Sequence, residues 1–123
     1  MVENRNLIAT YGSLKRGFHN HNRCGEQVFV GETKIKGEMT LVYNSYPQLY
    51  LNEDGDEHEV EVFMVDALTF TMINDMELGA GYTPVHILTP FGEATMWVFT
   101  DKDRMRGVPI KEYSHDLLEG VSD

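Results

Sequence analysis

The sequence predicts an α+β fold, in which a small mixed, mainly antiparallel sheet curls into a barrel-like shape beside one main helix, with short extra helices. Two observations lead to this fold class. The chain carries about six strand-like segments joined mostly by short turns, and short turns favour antiparallel pairing because a parallel pair needs a long crossover. Residues 67–78 instead show helical periodicity and supply the main helix.

The overall composition describes one acidic globular domain. A chain of 123 residues has room for a single hydrophobic core, so we expect one domain over residues 1–123. Hydrophobic residues make up 41% and charged residues 24%, which is typical of a folded protein. The formal net charge of −10 disfavours nucleic acid and anionic membranes as partners, because both attract basic surfaces.

The cysteine content and the absence of long apolar runs predict a cytoplasmic protein. Cys24 is the only cysteine, so no disulfide within the chain is possible, which is typical of a reducing compartment. The first six residues contain no apolar run like that of a secretion signal, and no stretch approaches the ~18 apolar residues of a membrane span. For the assembly state we expect a monomer or a weak homodimer.

The first strands are predicted from short runs and from glycines. Residues 7–11 are mostly apolar and end at Gly12, which indicates a buried strand leading into a tight turn. Residues 28–30 and 33–35 flank Gly31, and a glycine inside a strand pattern predicts a bend or a bulge.

Alternation of apolar and polar residues predicts the next strands. Residues 38–43 alternate, residues 46–51 follow as a second strand, and an acidic turn spans residues 52–56. Residues 59–65 show the most regular alternation in the chain and are predicted as a further strand.

The main helix is predicted from four apolar residues at helical spacing, with Asp66 as its N-cap and Gly79 as its stop. Residues 85–88 and 94–99 then form two more strands, joined as a hairpin. The polar tail, residues 101–123, is predicted to hold a short helix near residues 111–118. The residues that define the predicted buried face of the main helix are Leu68, Met72, Ile73 and Met76.

The segment Tyr11-Gly12-Ser13-Leu14 is the first candidate site. A turn at a strand end can direct successive backbone N–H groups into one concavity that holds an anion, and Gly12 lets a ligand approach closely. Taken alone, a strand followed by a glycine turn is also common in turns that bind nothing. Nucleotide motifs do not fit, since Gly12 and Gly17 are followed by Phe18-His19 where a P-loop has Lys and then Ser or Thr.

A metal site is not predicted. His19, His21 and Cys24 lie close together in the sequence, but their spacing is unlike that of any standard zinc site, and a solvated loop is the better interpretation.

Two motifs resemble one known family. Residues 8–17, which read Ile-Ala-Thr-Tyr-Gly-Ser-Leu-Lys-Arg-Gly, resemble the opening strand and loop of the gamma-glutamyl cyclotransferase superfamily. The Lys-Arg-Gly continuation and Asn20-His21 are most similar to its gamma-glutamylamine cyclotransferase branch. Ile73-Asn74-Asp75-Met76-Glu77 is similar to the family's Leu-Asp-x-x-Glu motif, and the likeness extends over roughly residues 7–100.

The resemblance implies a fold, a reaction and a set of site residues. The fold would be gamma-glutamyl cyclotransferase-like, and the chain would be an enzyme that releases 5-oxoproline and a free amine without a cofactor. Glu77 would be its catalytic acid and base, which suits a carboxyl group whose pKa burial raises towards neutrality. The residues expected to bind the α-amino-acid end of a small-molecule substrate are Tyr11, Gly12, Ser13, Leu14 and Tyr82.

The sequence also departs from the family pattern and so leaves a second function open. Ile73-Asn74 stands for the usual Leu-Asp, Leu78 follows the Glu where a small residue is common, and Thr83-Pro84 occupies the place of a common Arg. The alternative is a protein that uses the same pocket to bind an anionic or nucleotide-like metabolite without turning it over.

Overall fold

A computed structural model describes residues 5–12, 27–42 and 46–110. These residues form seven strands, one α-helix and one short 3-10 helix. The strands are β1 (Arg5–Thr10), β2 (Gln27–Val42), β3 (Tyr46–Leu51), β4 (Asp56–Asp66), β5 (Thr83–Thr89), β6 (Gly92–Val98) and β7 (Val108–Ile110). The helix α1 spans Ala67–Gly79, and the 3-10 helix spans Lys102–Arg104.

All seven strands belong to one curled sheet, which confirms the predicted fold class. The strand order is β3-β2-β4-β1-β6-β5, with β7 paired to β2. Every pairing is antiparallel except that of β1 with β6, which is parallel and joins Ile8 to Thr95. Beyond the end of β6, the N–H of Phe99 donates a hydrogen bond to the carbonyl of Leu49 at 2.8 Å, which draws the outer strand β3 towards β6.

The curl of the sheet depends on the long strand β2. Its pairing with β4 shifts register between Phe29 and Gly31, so the bulge predicted at Gly31 is confirmed. The ring of Phe91 covers this glycine, and a Cβ built there would lie 2.3 Å from the Phe91 Cζ. The bulge bends β2, which pairs first with β4 and then with β3 and β7.

The sheet is buried on both faces at its centre. Alternation along β4 sends Val60 and Val62 into the barrel interior and Phe63 and Val65 towards α1. The side chains of the central strand β1 also alternate between the barrel interior and the face towards α1. Because both faces are buried, this strand is mostly apolar along its length. The interior cluster consists of Ala9, Tyr11, Met39, Leu41, Leu49, Val60, Val62, Ala94, Met96 and Val98.

The helix α1 begins where β4 ends, and its predicted N-cap is confirmed. The Asp66 carboxylate accepts a hydrogen bond from the N–H of Thr69 at 2.7 Å. At the other end the helix includes Gly79, and Gly81 then takes a positive φ of 95° that turns the chain back towards the sheet. This α-helix of the described residues is not long and apolar enough to cross a membrane.

The predicted buried face of α1 is half wrong. Ile73 is fully buried and Met76 is half-buried, but Leu68 is 70% exposed and Met72 is 47% exposed. The helix is rotated by roughly a quarter turn from the predicted face, because the aromatic ring of Phe70 and other residues on that side pack against the sheet.

The segment after β6 also differs from the prediction. It contains the 3-10 helix Lys102–Arg104 and the strand β7, neither of which was predicted. The Lys102 ammonium bonds to the Glu38 carboxylate, which also accepts a hydrogen bond from Asn52, so this segment is tied to β2. The helix predicted near residues 111–118 lies outside the described residues.

Candidate active site

The turn at the end of β1 is held in place by the Tyr11 side chain. Tyr11 is buried, and its hydroxyl crosses the barrel interior to donate a hydrogen bond to the main-chain carbonyl of Trp97 at 2.8 Å. The backbone of Leu49 also hydrogen-bonds to this hydroxyl. Because the Tyr11 side chain is buried and hydrogen-bonded inside the barrel, only the backbone groups of Tyr11 are available to bind a ligand.

Gly12 is buried against the ring of Pro47. A Cβ built at Gly12 would lie 2.6 Å from the Pro47 Cγ, so only glycine fits this contact without a shift of the proline. Ser13 and Leu14, the other two residues predicted in the turn, lie outside the described residues, as do His19, His21 and Cys24. The proposed backbone concavity is therefore described only at its first two residues.

Glu77 lies in the last turn of α1 and is half-buried. Its main-chain carbonyl accepts hydrogen bonds from the N–H groups of Ala80 and Tyr82, at 3.1 and 3.0 Å. Burial raises the pKa of the Glu77 carboxyl from its ordinary 4.5 to about 7. A carboxyl group with this pKa exists in both protonation states near neutral pH, so it can accept a proton and return one.

Tyr82 connects the end of α1 to the start of β3. Its hydroxyl donates a hydrogen bond to the carbonyl of Pro47 at 2.7 Å. Its ring packs edge-on against Phe99, with the two ring centroids 5.0 Å apart. Pro47 therefore contacts both Gly12 and Tyr82.

The electrostatics of Tyr11 show that three of the predicted site residues are neighbours. Burial, followed by the nearby charges that Tyr82 and Glu77 can carry, raises the pKa of Tyr11 well above its ordinary value. The Tyr11 hydroxyl therefore lies within electrostatic range of Glu77 and Tyr82, and Pro47 links Gly12 to Tyr82.

Sequence reasoning missed the contact between α1 and β6. The Trp97 indole Nε1–H donates a hydrogen bond to the Asn74 side-chain oxygen at 2.9 Å. One signal was available, since a buried tryptophan needs an acceptor for its N–H group. The identity of that acceptor could not be read from the sequence, because 23 residues separate the two positions.

Of the departures from the family pattern, Leu78, Thr83 and Pro84 lie at the surface, whereas Ile73 is fully buried and Asn74 is half-buried. Leu78 is 50% exposed, and Thr83 and Pro84 are exposed as well. Within residues 5–12, 27–42 and 46–110, no three His, Cys, Asp or Glu side chains come together in a way that could hold a metal ion.

Comparison with known proteins agrees with the motifs. The sequence model of the family described as "Gamma-glutamyl cyclotransferase, AIG2-like" matches residues 8–115. The chain is 37% identical over 111 residues to the Pyrococcus horikoshii protein named "Putative gamma-glutamylcyclotransferase PH0828", covering 90% of this chain and 91% of that protein. A Vibrio cholerae protein named "Putative gamma-glutamylcyclotransferase" is 27% identical over 106 residues, covering 85% of this chain and 90% of the other.

A solved structure shows the same fold. The crystal structure of the uncharacterized protein PH0828 from Pyrococcus horikoshii superposes with a TM-score of 0.79 at 34% sequence identity, and the match covers 94% of this chain and 95% of that one. The extent of the family match, together with this relative, shows that the chain belongs to the gamma-glutamyl cyclotransferase, AIG2-like family.

Proposed function

We propose that this protein is a gamma-glutamyl cyclotransferase that releases 5-oxoproline and a free amine from a gamma-glutamyl amine or a small gamma-glutamyl peptide. The α-amino nitrogen of the substrate attacks its own side-chain carbonyl carbon, and the bond from that carbon to the leaving nitrogen breaks. Starting from the ammonium form, the attacking nitrogen loses two protons in becoming the lactam N–H and the departing nitrogen gains two in leaving as an ammonium, so the reaction consumes neither water nor a redox partner.

The observation that carries this proposal is the Glu77 carboxyl, which is half-buried at the end of α1, has a pKa of about 7 and lies within electrostatic range of the Tyr11 hydroxyl. The substrate amine is mostly protonated at neutral pH and cannot attack in that form. The ionised Glu77 removes a proton from it, and the protonated Glu77 then delivers one to the leaving amine.

The turn after β1 is proposed to bind the amino-acid end of the substrate. Its backbone N–H groups, including those of Ser13 and Leu14, would hold the α-carboxylate. Such local donors matter in a protein with a formal net charge of −10, whose overall field repels an anion. Because the nucleophile belongs to the substrate, holding the two reacting groups together supplies much of the rate enhancement.

The binding-only alternative gains no support from the positions that suggested it. Leu78, Thr83 and Pro84 are exposed, so none of these three departures alters a buried position. We therefore keep catalysis as the proposed function.

The experiment is a turnover assay with the purified full-length chain and a panel of gamma-glutamyl amines and dipeptides, with 5-oxoproline measured by mass spectrometry. We expect product from the wild type and a kcat lower by about 10²- to 10⁴-fold in Glu77→Gln, which keeps the shape of the side chain but cannot exchange a proton. Asp75→Asn is the matched control, because Asp75 is an exposed carboxylate on the same helix turn, and it should retain wild-type activity.

Two results would count against the proposal. One is the absence of 5-oxoproline from every compound in the panel. The other is a Glu77→Gln variant as active as the wild type. A compound that raises the melting temperature and is recovered unchanged would favour the binding-only alternative.

A further inference from the structure

Trp97 contacts both halves of the candidate site. It lies in β6 and is only 3% exposed. Its main-chain carbonyl accepts the hydrogen bond from the Tyr11 hydroxyl, at 2.8 Å, and its indole N–H donates to Asn74 of α1, at 2.9 Å. One buried residue therefore links the turn after β1 to the helix that carries Glu77.

Asn74 lies on the same side of α1 as Glu77. The two residues are three positions apart, which makes them neighbours on one helix face. Phe70 and Ile73 belong to that side too, with the Phe70 ring centroid 5.7 Å from that of Trp97 and Ile73 fully buried. Apolar contacts of this kind tolerate small rotations, whereas a hydrogen bond depends on its angle as well as its length.

A small rotation of α1 would displace Glu77 by a chemically important distance. The Cα atoms of a helix lie on a cylinder of radius about 2.3 Å, so a rotation of about 20° moves each of them by roughly 0.8 Å. The carboxyl group, at the end of a longer side chain, moves further. A displacement of about 1 Å can lower the rate of a catalysed step by as much as ~10²-fold.

We propose that Asn74 and Trp97 are positioning residues, whose side-chain hydrogen bond sets the rotation of α1 and so holds the Glu77 carboxyl in its half-buried position. This inference rests on the proposed function of Glu77. It also explains why Asn can stand in the motif position where the resemblance leads one to expect Asp, because either residue presents a side-chain oxygen to the indole N–H.

Three substitutions separate this role from a general effect on the helix. Asn74→Leu removes the acceptor at similar size, and Asn74→Asp keeps an oxygen in the same place. Asp75→Leu puts the same new side chain at the exposed neighbouring position. We expect Asn74→Leu to lower kcat by about 10- to 100-fold with KM within about threefold, because the substrate-binding turn is untouched. Asn74→Asp and Asp75→Leu should stay close to wild type.

A second measurement does not depend on activity. The Glu77 carboxyl carbon is titrated by NMR in isotopically labelled full-length protein. In Asn74→Leu the pKa of Glu77 should fall from about 7 towards its ordinary 4.5, because a displaced carboxyl gains water. Among the residues that the structure describes, Tyr11, whose pKa is raised well above its ordinary value, interacts electrostatically with Glu77, and the carboxylate of Asp75 is exposed. A role limited to stability would lower the melting temperature without moving this titration.

The outcomes separate this inference from the proposed function. If the wild type makes no 5-oxoproline, the proposed function fails, and the NMR titration still tests the inference. If Asn74→Leu does not fold, Asn74→Ala also removes the acceptor without adding bulk and is tested in the same way. A folded variant without the Asn74 oxygen whose Glu77 titrates as in the wild type overturns the inference.

Discussion

Burial of the Glu77 carboxyl disfavours its ionised form. Its pKa is about 7 in the folded chain and near the ordinary 4.5 once the chain unfolds. Between these two values the folded state binds more protons than the unfolded state, so the free energy of unfolding falls as pH rises from about 4.5 to about 7. The stability that the neutral form contributes is fully present below pH 4.5 and is lost above about pH 7.

Glu77→Gln should therefore make the protein more stable while lowering its proposed activity. At pH 8 the free energy of unfolding should rise by up to about 3 kcal/mol, which is the difference between the two pKa values at 1.36 kcal/mol per unit. At pH 4, where Glu77 is neutral in both states, the gain should be near zero. Urea unfolding curves at the two pH values measure the difference.

Asp75→Asn is the control for this prediction, because it removes one negative charge from an acidic chain at an exposed position of the same helix. A gain at pH 8 that is equal in the two variants would show that overall charge repulsion, and not the burial of Glu77, is responsible.

Single residues show how far the sequence could predict the site. The motifs named Gly12 and Glu77, and in the structure Gly12 packs against Pro47 while Glu77 lies within electrostatic range of the Tyr11 hydroxyl. The destination of the Tyr11 hydroxyl was not predictable, because its acceptor is 86 residues away and depends on β1 lying beside β6. Local patterns record which residue types occur at a turn, whereas contacts across the sheet depend on strand order.

Among the elements, β2 and α1 show what periodicity can and cannot predict. A glycine between two strand-like runs predicted the bulge in β2, because the effect of the missing side chain is local. The buried face of α1 was mispredicted, since Leu68 and Met72 have the right spacing but lie towards solvent. The strand β7 was missed because three residues that include a proline carry no alternation to detect.

The bulge of β2 leads to a prediction about its glycine. Gly31→Ala should lower the free energy of unfolding by about 1–3 kcal/mol, because the new Cβ overlaps the Phe91 ring. In a Phe91→Ala background the same change should cost less, since the obstructing ring is gone. Urea unfolding of the two single variants and the double variant measures this coupling.

Gly79→Ala is the matched control for Gly31→Ala, because no atom lies within 4 Å of a Cβ built at Gly79. It should be neutral or stabilising by up to about 1 kcal/mol, as expected for alanine in a helix. The prediction is wrong if Gly31→Ala costs the same with and without the Phe91 ring.

At the scale of the whole molecule, the barrel interior holds the outer strands together. Leu49 is fully buried in the interior cluster, and its carbonyl accepts the hydrogen bond from Phe99 that draws β3 towards β6. The sequence predicted a curled sheet from its short turns, and the structure agrees. It predicted the hairpin of β5 and β6, which the structure confirms, but not the other pairings, because those depend on contacts between distant segments.

Leu49→Ala should lower the free energy of unfolding by about 2–5 kcal/mol, because it leaves a cavity in the interior cluster. Leu88→Ala is the matched control, since Leu88 lies in the edge strand β5 and is 86% exposed, and it should change stability by no more than about 0.5 kcal/mol. Chemical unfolding at one pH measures both variants. Equal losses would contradict the assignment of Leu49 to a packed interior.

The parallel pairing of β1 with β6 has a consequence for how the chain folds during its synthesis. Ile8 is made 87 residues before its partner Thr95. At translation rates of about 5–20 residues per second, that interval lasts roughly 4–17 s. Throughout it the apolar strand β1 has no parallel neighbour on one side, and an unpaired strand edge of this kind is where growing chains associate wrongly. The time until β6 emerges from the ribosome is therefore the interval in which a chaperone would protect this protein most.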